Sequence, residues 1–143
     1  MLYTYDPRSI IITFRRHPIT GIAEDTFLTI SRTEDTFTEK TGCSGETTRS
    51  KSNNRSGTAR IVLMQSSPDN DFLSKCAILD ENGNAGVGEF SAKDINGTSL
   101  FFSSQAYVKR PPESGFGKEV GNREWTIFCA DLNIVVGGNV PQL

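Results

Sequence analysis

Residues 41–57 carry no aliphatic side chain, so any core this chain builds must come from the segments on either side, where apolar surface can leave water. The stretch is Gly, Ser, Thr and Asn with Cys43, Glu46, Arg49, Lys51, Asn54 and Arg55 among them. A loop this long inside a compact domain is uncommon, and such loops are functional or become ordered against a partner. The expectation is a single domain over 1–143 with a long polar loop at about 41–57.

The flanking segments are written mostly in the two-residue period of strands. Residues 9–15 place Ile10, Ile12 and Phe14 on one face and Thr13 and Arg15 on the other. Pro18 and Gly21 mark a turn, and 22–31, rich in Thr, Ile and Phe, reads as a second strand that would complete a hairpin. A further extended piece, 35–40, carries Phe37 between polar neighbours. Residues 58–65, through Ile61, Val62, Leu63 and Met64, are apolar on both faces, which suggests burial on both sides or against a neighbouring molecule. Asn96-Gly97, between 88–95 and 99–108, is the strongest short hairpin signal in the chain. Residues 123–136 read as one last long strand containing Trp125, Ile127 and Phe128.

One helix start is clear. Ser67 suits the N-cap, Pro68 the first helical position, and Asp69 and Asp71 complement the helix dipole in the first turn. Phe72, Leu73, Cys76 and Leu79 then recur at helical spacing, and Asn82-Gly83-Asn84 ends the run, with Gly83 supplying the positive φ. The fold expected is mainly β, a β-sandwich or barrel of about six or seven strands with one flanking helix over about 68–80. The apolar surface on several strands exceeds what one small sandwich covers with itself, which points to assembly with other copies.

The chemistry that might make this an enzyme is sparse. His17 is the only histidine and sits between Arg16 and Pro18 at a turn, where an exposed polar residue needs no special role. Cys76 and Cys129 read as core, and Cys43, Cys76 and Cys129 are an odd number without zinc-ligand spacing, so free thiols are expected, with Cys43 open to a bond between chains. Asp80, Asn82 and Asn84 alternate like calcium ligands, but Ala85 and Ser91 stand where that loop needs Gly and Glu. Gly115-Phe116-Gly117-Lys118 lacks the spacer and following hydroxyl of a phosphate loop. No catalytic residue, metal or cofactor is therefore expected. With a net charge of −2 and 22% charged residues, the chain has no basic surplus for gripping nucleic acid. No run approaches the roughly 20 apolar residues of a membrane span, and the polar start does not resemble a signal peptide, so a soluble product made in a cytosol is expected.

Four segments, in order and spread over nearly the whole chain, carry a resemblance. They are Phe27-Leu28-Thr29-Ile30-Ser31-Arg32-Thr33-Glu34-Asp35-Thr36-Phe37-Thr38, Arg49-Ser50-Lys51-Ser52-Asn53-Asn54-Arg55-Ser56-Gly57, Leu63-Met64-Gln65-Ser66-Ser67-Pro68, and Phe116-Gly117-Lys118-Glu119 with Asn122-Arg123-Glu124-Trp125-Thr126. Together they resemble the tail tube proteins of contractile-tailed bacteriophages, whose fold is shared with the type VI secretion tube protein. The resemblance implies a non-enzymatic virion protein, assembled in the bacterial cytoplasm, whose hexameric rings each form a continuous inner β-barrel and stack into a hollow tail tube. Implied partners are further copies of the chain, the contractile sheath, the tape measure protein, and baseplate and tail-terminator proteins. DNA would pass through without specific binding. Residues 41–57, with Cys43, Glu46, Arg49, Lys51, Asn54 and Arg55, are the candidate loop for stacking one ring on the next. Asp35, Glu39 and Asp131 are candidates for an acidic lumen, since a conduit that passes DNA quickly should not hold it. Glu24, Asp25, Glu34, Asp35 and Glu39 form an acidic cluster that the loop of a neighbouring copy could meet. The alternatives are the tube subunit of a phage-derived injection particle, and a monomeric β-sandwich that binds a small ligand.

Overall fold

A computed structural model of the chain describes residues 1–139 and Pro141. A short 3-10 turn, Pro7–Ser9, leads into β1 (Ile10–Phe14) and β2 (His17–Pro18), followed by β3 (Leu28–Arg32), β4 (Phe37–Thr41), β5 (Thr47–Lys51) and β6 (Gly57–Met64). The single helix α1 (Asp69–Gly83) precedes β7 (Gly88–Asp94), β8 (Leu100–Arg110), β9 (Asn122–Cys129) and β10 (Leu132–Val135). The fold is mainly β with one helix, as the sequence leads one to expect.

Eight strands form one antiparallel sheet in the order β2-β1-β7-β8-β9-β6-β3, with β10 also on β8, while β4 and β5 pair only with each other. Register and alternation put one face of the sheet inward. Phe14 lies opposite Phe90, Ile12 opposite Ala92, and Ile61 opposite Trp125. All six are withdrawn from water with Leu63, Leu73, Ala106, Ile127 and Leu132. Each large side chain buried this way contributes about 1.5–3 kcal/mol. Helix α1 covers this face through Leu73, Cys76 and Ala77. Leu79, expected on the same stripe, is 40% exposed, and Ala77 takes the inward position instead.

The helix begins where the sequence places it: Ser67 Oγ accepts the Asp69 N–H at 3.3 Å, which satisfies one of the free donors of the first turn. It ends differently. Asn84, with φ of 55°, is the left-handed residue, and its N–H reaches the Asp80 carbonyl at 2.9 Å. Asn tolerates that conformation by bonding locally, so Gly83 is not needed for it.

Two further expectations are corrected and a third is narrowed. Residues 9–15 and 22–31 do not form a hairpin: β1 pairs with β2 and β7 and β3 with β6, at opposite ends of the sheet. Arg15 and Arg16, at φ of 50° and 65°, turn β1 back after two residues, as a type I′ turn requires. The long final strand is broken at Ala130-Asp131 into β9 and β10, both lying along β8. Strand β6 is not buried on both sides within one chain: Ala59, Ile61 and Leu63 point inward, whereas Val62 is half-buried and Arg60 and Met64 are exposed on the other face, which leaves the reading of burial against a neighbouring molecule. The hairpin around Asn96-Gly97 forms as read, with β7 antiparallel to β8. Gly57 is fixed by close approach, since a Cβ there would meet Leu132 and the Ser31 carbonyl at under 3 Å.

Candidate functional site

The polar stretch 41–57 is only partly a loop. Residues Thr47–Lys51 are a strand paired with Phe37–Thr41, and the turn between them is closed by the Gly42 N–H on the Glu46 carbonyl at 2.8 Å. Every residue of β4 and β5 is exposed. The two strands form an arm outside the main sheet. Sequence patterning misses β5 because neither of its faces meets a core, so no apolar alternation is demanded of it.

The candidate stacking residues divide between the arm and its root. Cys43 is an exposed free thiol in the turn, beside Glu46. The Arg49 guanidinium lies over the Phe37 ring at 4.2 Å, which shields the one large apolar side chain of the arm. Lys51 ends β5 opposite Phe37. Asn54 Oδ1 accepts the Ser56 N–H at 3.1 Å and the Ser56 hydroxyl at 2.7 Å. Arg55 turns back to the main sheet, donating to Asp131 at 3.0 Å and also to Asn133.

The three candidate lumen acids do not lie together. Asp35 is exposed at the root of the arm, Glu39 sits across from Arg49 within it, and Asp131 is at the break between β9 and β10 under Arg55. The structure thus places Glu39 on the same arm as several of the candidate stacking residues, and Asp131 in an ion pair with another of those candidates.

The groups weighed for catalysis are built into the frame. His17 is not the plain exposed turn residue that its neighbours suggest. Its Nε2 is 2.6 Å from Asp69 Oδ1, and its ring stacks on Phe72 at 4.0 Å. Asp69 Oδ2 also accepts the Thr20 N–H and, at 2.8 Å, the Thr20 hydroxyl. Burial pushes the Asp69 carboxyl up, but the bonds from His17 and Thr20 outweigh it and hold it below its ordinary value. This cluster clasps the β1–β2 turn to the start of α1. No local pattern announces it, because the partners are far apart in sequence. Burial pushes the Cys129 thiol up to about 11 against the opposing effect of Ser103, so it stays protonated and unreactive. Among the described residues no group of three or more His, Cys, Asp or Glu could hold a metal ion, and no helix is long and apolar enough to cross a membrane.

The second face of the sheet is not covered by the chain's own helix. Arg60 and Glu124 form an ion pair there at 2.7 Å, and Tyr107 packs on Phe128 with Lys109 above the same ring. A groove of 610 Å³ on this face is lined by Val62, Arg110, Glu113, Glu124 and Thr126 among others. Its lining is charged and polar, unlike the mostly apolar wall of a small-molecule site.

The comparisons with known proteins agree with one another. Residues 13–137 match the family described as bacteriophage PhiTE tail tube protein. A structural protein, ORF10, of Pseudomonas phage KPP10 is 33% identical over 144 aligned residues, covering 95% of this chain and 83% of that protein. In fold, the chain is similar to the tube-terminating cap of the anti-feeding prophage, with a TM-score of 0.64 at 10% identity, covering 94% of this chain and 93% of that one. It is also similar to a chain of the sheath-tube complex of the extracellular contractile injection system PVC, with a TM-score of 0.61 at 11% identity and coverage of 96% and 93%. The chain belongs to the phage tail tube family typified by the PhiTE tail tube protein.

Proposed function

We propose that this protein acts without catalysis, as the wall of a tail tube: six copies close into a ring, rings stack into a hollow cylinder, and phage DNA passes through it into the host. The single observation that carries this reading is the family match over 13–137. The geometry supports it, because the main sheet covers one face with its own helix and leaves the other, and both outer strands, for contacts outside the protomer. The arm formed by β4 and β5 is the element that joins one ring to the next, with Cys43, Glu46, Arg49 and Lys51 along it and Asn54 and Arg55 holding its root. Of the three candidate lumen acids, Glu39 offers a carboxylate and that of Asp131 is matched by Arg55, whereas Asp35 stands at the edge beside β3, toward a neighbouring copy, so the lumen carries no cationic surplus. A contractile sheath surrounds the cylinder, a tape measure protein fills it during assembly in the bacterial cytoplasm, and baseplate and terminator proteins close its ends.

Negative-stain electron microscopy of the purified protein tests the proposal. Annular particles or hollow tubes are the expected result; a monomer at every concentration, even on addition of purified baseplate, overturns it. A second reading, the tube of a phage-derived injection particle, is favoured by the fold likeness to the anti-feeding prophage cap and the PVC sheath-tube complex. It predicts particles with tails but no DNA-filled head.

A further inference from the structure

The two ends of the main sheet carry opposite charge. At one end, the β1–β2 turn holds Arg15 and Arg16 in the left-handed conformation, where Asn and Gly are the residues normally found. Nη1 of Arg15 is directed onto Cys76 Sγ at 3.5 Å, whereas Arg16 is exposed and, among the described residues, has no carboxylate within ion-pair distance. Lys93, on β7 opposite Ile11 toward the other end of β1, is likewise exposed and without an ion-pair partner among the described residues, while the exposed Glu89 shares a groove with Arg16 beside the turn, so the positive balance of this end rests on Arg15, Arg16 and Lys93 together. At the other end, edge strand β3 is bracketed by two acid pairs. Glu24 and Asp25 stand on a segment that loops out of the sheet, because Ala23 N–H and the Phe27 carbonyl both bond to Val62, leaving the residues between them outside the ladder. Glu34 and Asp35 follow β3 at its far end, where Lys51 of the arm lines a groove with them, and among the described residues all four exposed carboxylates are without an ion-pair partner. The cation on β3 itself, Arg32, turns away from this edge to donate to the Leu132 carbonyl at 2.7 Å.

From this pattern we infer that the basic β1–β2 end of one copy docks against the acidic β3 end of the next, so that charge sets a head-to-tail order of protomers around the ring. The inference rests on the ring assembly proposed above and names the contact that orders it. Backbone pairing cannot supply that order at β2, since Pro18 has no N–H to donate and blunts the edge. Opposite charges on two different patches steer head-to-tail encounter and oppose the like-to-like pairing of a two-fold dimer.

Two charge-reversed proteins test this: R16E/K93E, acidic at both ends, and D25K/D35K, basic at both ends. All substituted positions are exposed, and folding of each variant is checked by circular dichroism and thermal melting. The expected result is that each folded variant alone remains monomeric at concentrations where the unaltered protein forms rings, and that an equimolar mixture forms rings again. Rings from either variant alone at unaltered yield, or a mixture of folded variants that fails to assemble, would overturn the charge-ordered contact while leaving the tube reading intact. Failure of the unaltered protein to assemble would instead overturn the tube reading beneath it.

Discussion

Strands β5 and β6 are neighbours in sequence, yet every second residue of β6 is buried while all of β5 is exposed. Both are antiparallel and both have complete ladders to a partner strand. What differs is what lies on their faces. Strand β6 sits between β3 and β9 with Ala59, Ile61 and Leu63 in the core, so its position is fixed by burial and by contacts remote in sequence. Strand β5 has one neighbour, β4, and the arm's main apolar contact is Arg49 on Phe37. A two-stranded hairpin alone in water is at best marginal. The arm is ordered by its root, where Ser52 N–H reaches the Thr36 carbonyl at 2.7 Å, Ser56 joins Thr33, and Arg55 bonds to Asp131. The sheet therefore supplies the stability of the protomer, and the arm adds reach without adding core.

The sharpest break in that comparison is a cavity on the sheet side. Phe14 is fully buried opposite Phe90 and meets the edge of Phe72 at 6.4 Å between ring centres. Phe14→Ala is expected to cost about 3–5 kcal/mol, a large part of the about 5–15 kcal/mol that holds a domain together. Urea unfolding followed by Trp125 fluorescence measures it. A loss below about 1 kcal/mol would mean that the sheet is not where stability resides.

Next in size is the clasp between the sheet's edge and the helix. Asp69→Asn removes the charge that receives His17 and both groups of Thr20, and is expected to cost about 1–3 kcal/mol at neutral pH. Burial pushes the Asp69 carboxyl up, but the bonds from His17 and Thr20 hold it below its ordinary value in the folded protein. Above that value the folded state keeps the full benefit of the charged form. As pH falls through the lower, folded value, both states bind the proton and the benefit disappears. The melting temperatures of the two proteins should therefore differ most above pH about 4 and converge in stronger acid. A gap that persists unchanged at low pH would show that Asp69 acts through shape and not through charge.

The same contrast between local and remote determinants explains which parts of the structure were legible in the sequence. Ser67-Pro68 and Asn96-Gly97 act within a few residues, and the helix start and the β7–β8 hairpin stand where they point. The inward alternation of Ile12 and Phe14 is equally local. Which strand lies beside which is not local, so 9–15 and 22–31, apparently a hairpin, separate to opposite ends of the sheet. Nor does a strand with no buried face write a pattern, which is why β5 reads as loop. Of the candidate site, the arm region could be found from its lack of aliphatic residues, but the Arg55–Asp131 pair could not, because the chain between them crosses most of the sheet.

Smaller effects belong to the arm. Arg49→Ala removes the cation over Phe37 at an exposed position, and about 0.5–1 kcal/mol is the most it should cost; chemical denaturation of the protomer checks it, and a larger loss would give the arm a share in the core.

The smallest expected effect on protomer stability comes from the largest deletion. Replacing residues 37–51 by a short Gly-Ser turn removes β4 and β5 whole, so that Phe37 leaves together with the Arg49 that covers it, but keeps Glu34, Ser52, Ser56 and Arg55 at the root. No core residue is lost, since the buried set lies elsewhere. Shortening the loop also lowers its closure entropy slightly. The protomer should therefore unfold within about 0.5 kcal/mol of the unaltered protein, as surface changes away from packed features do. On the proposed stacking of rings, the same deletion should act strongly, yielding single rings under conditions in which the unaltered protein is expected to give stacks, as counted in electron micrographs. Equal stability with lost stacking would confine the arm's role to contacts between rings. Equal stability with tubes of ordinary length would assign stacking to the sheet's edges, and the division of labour between the two regions would have to be redrawn.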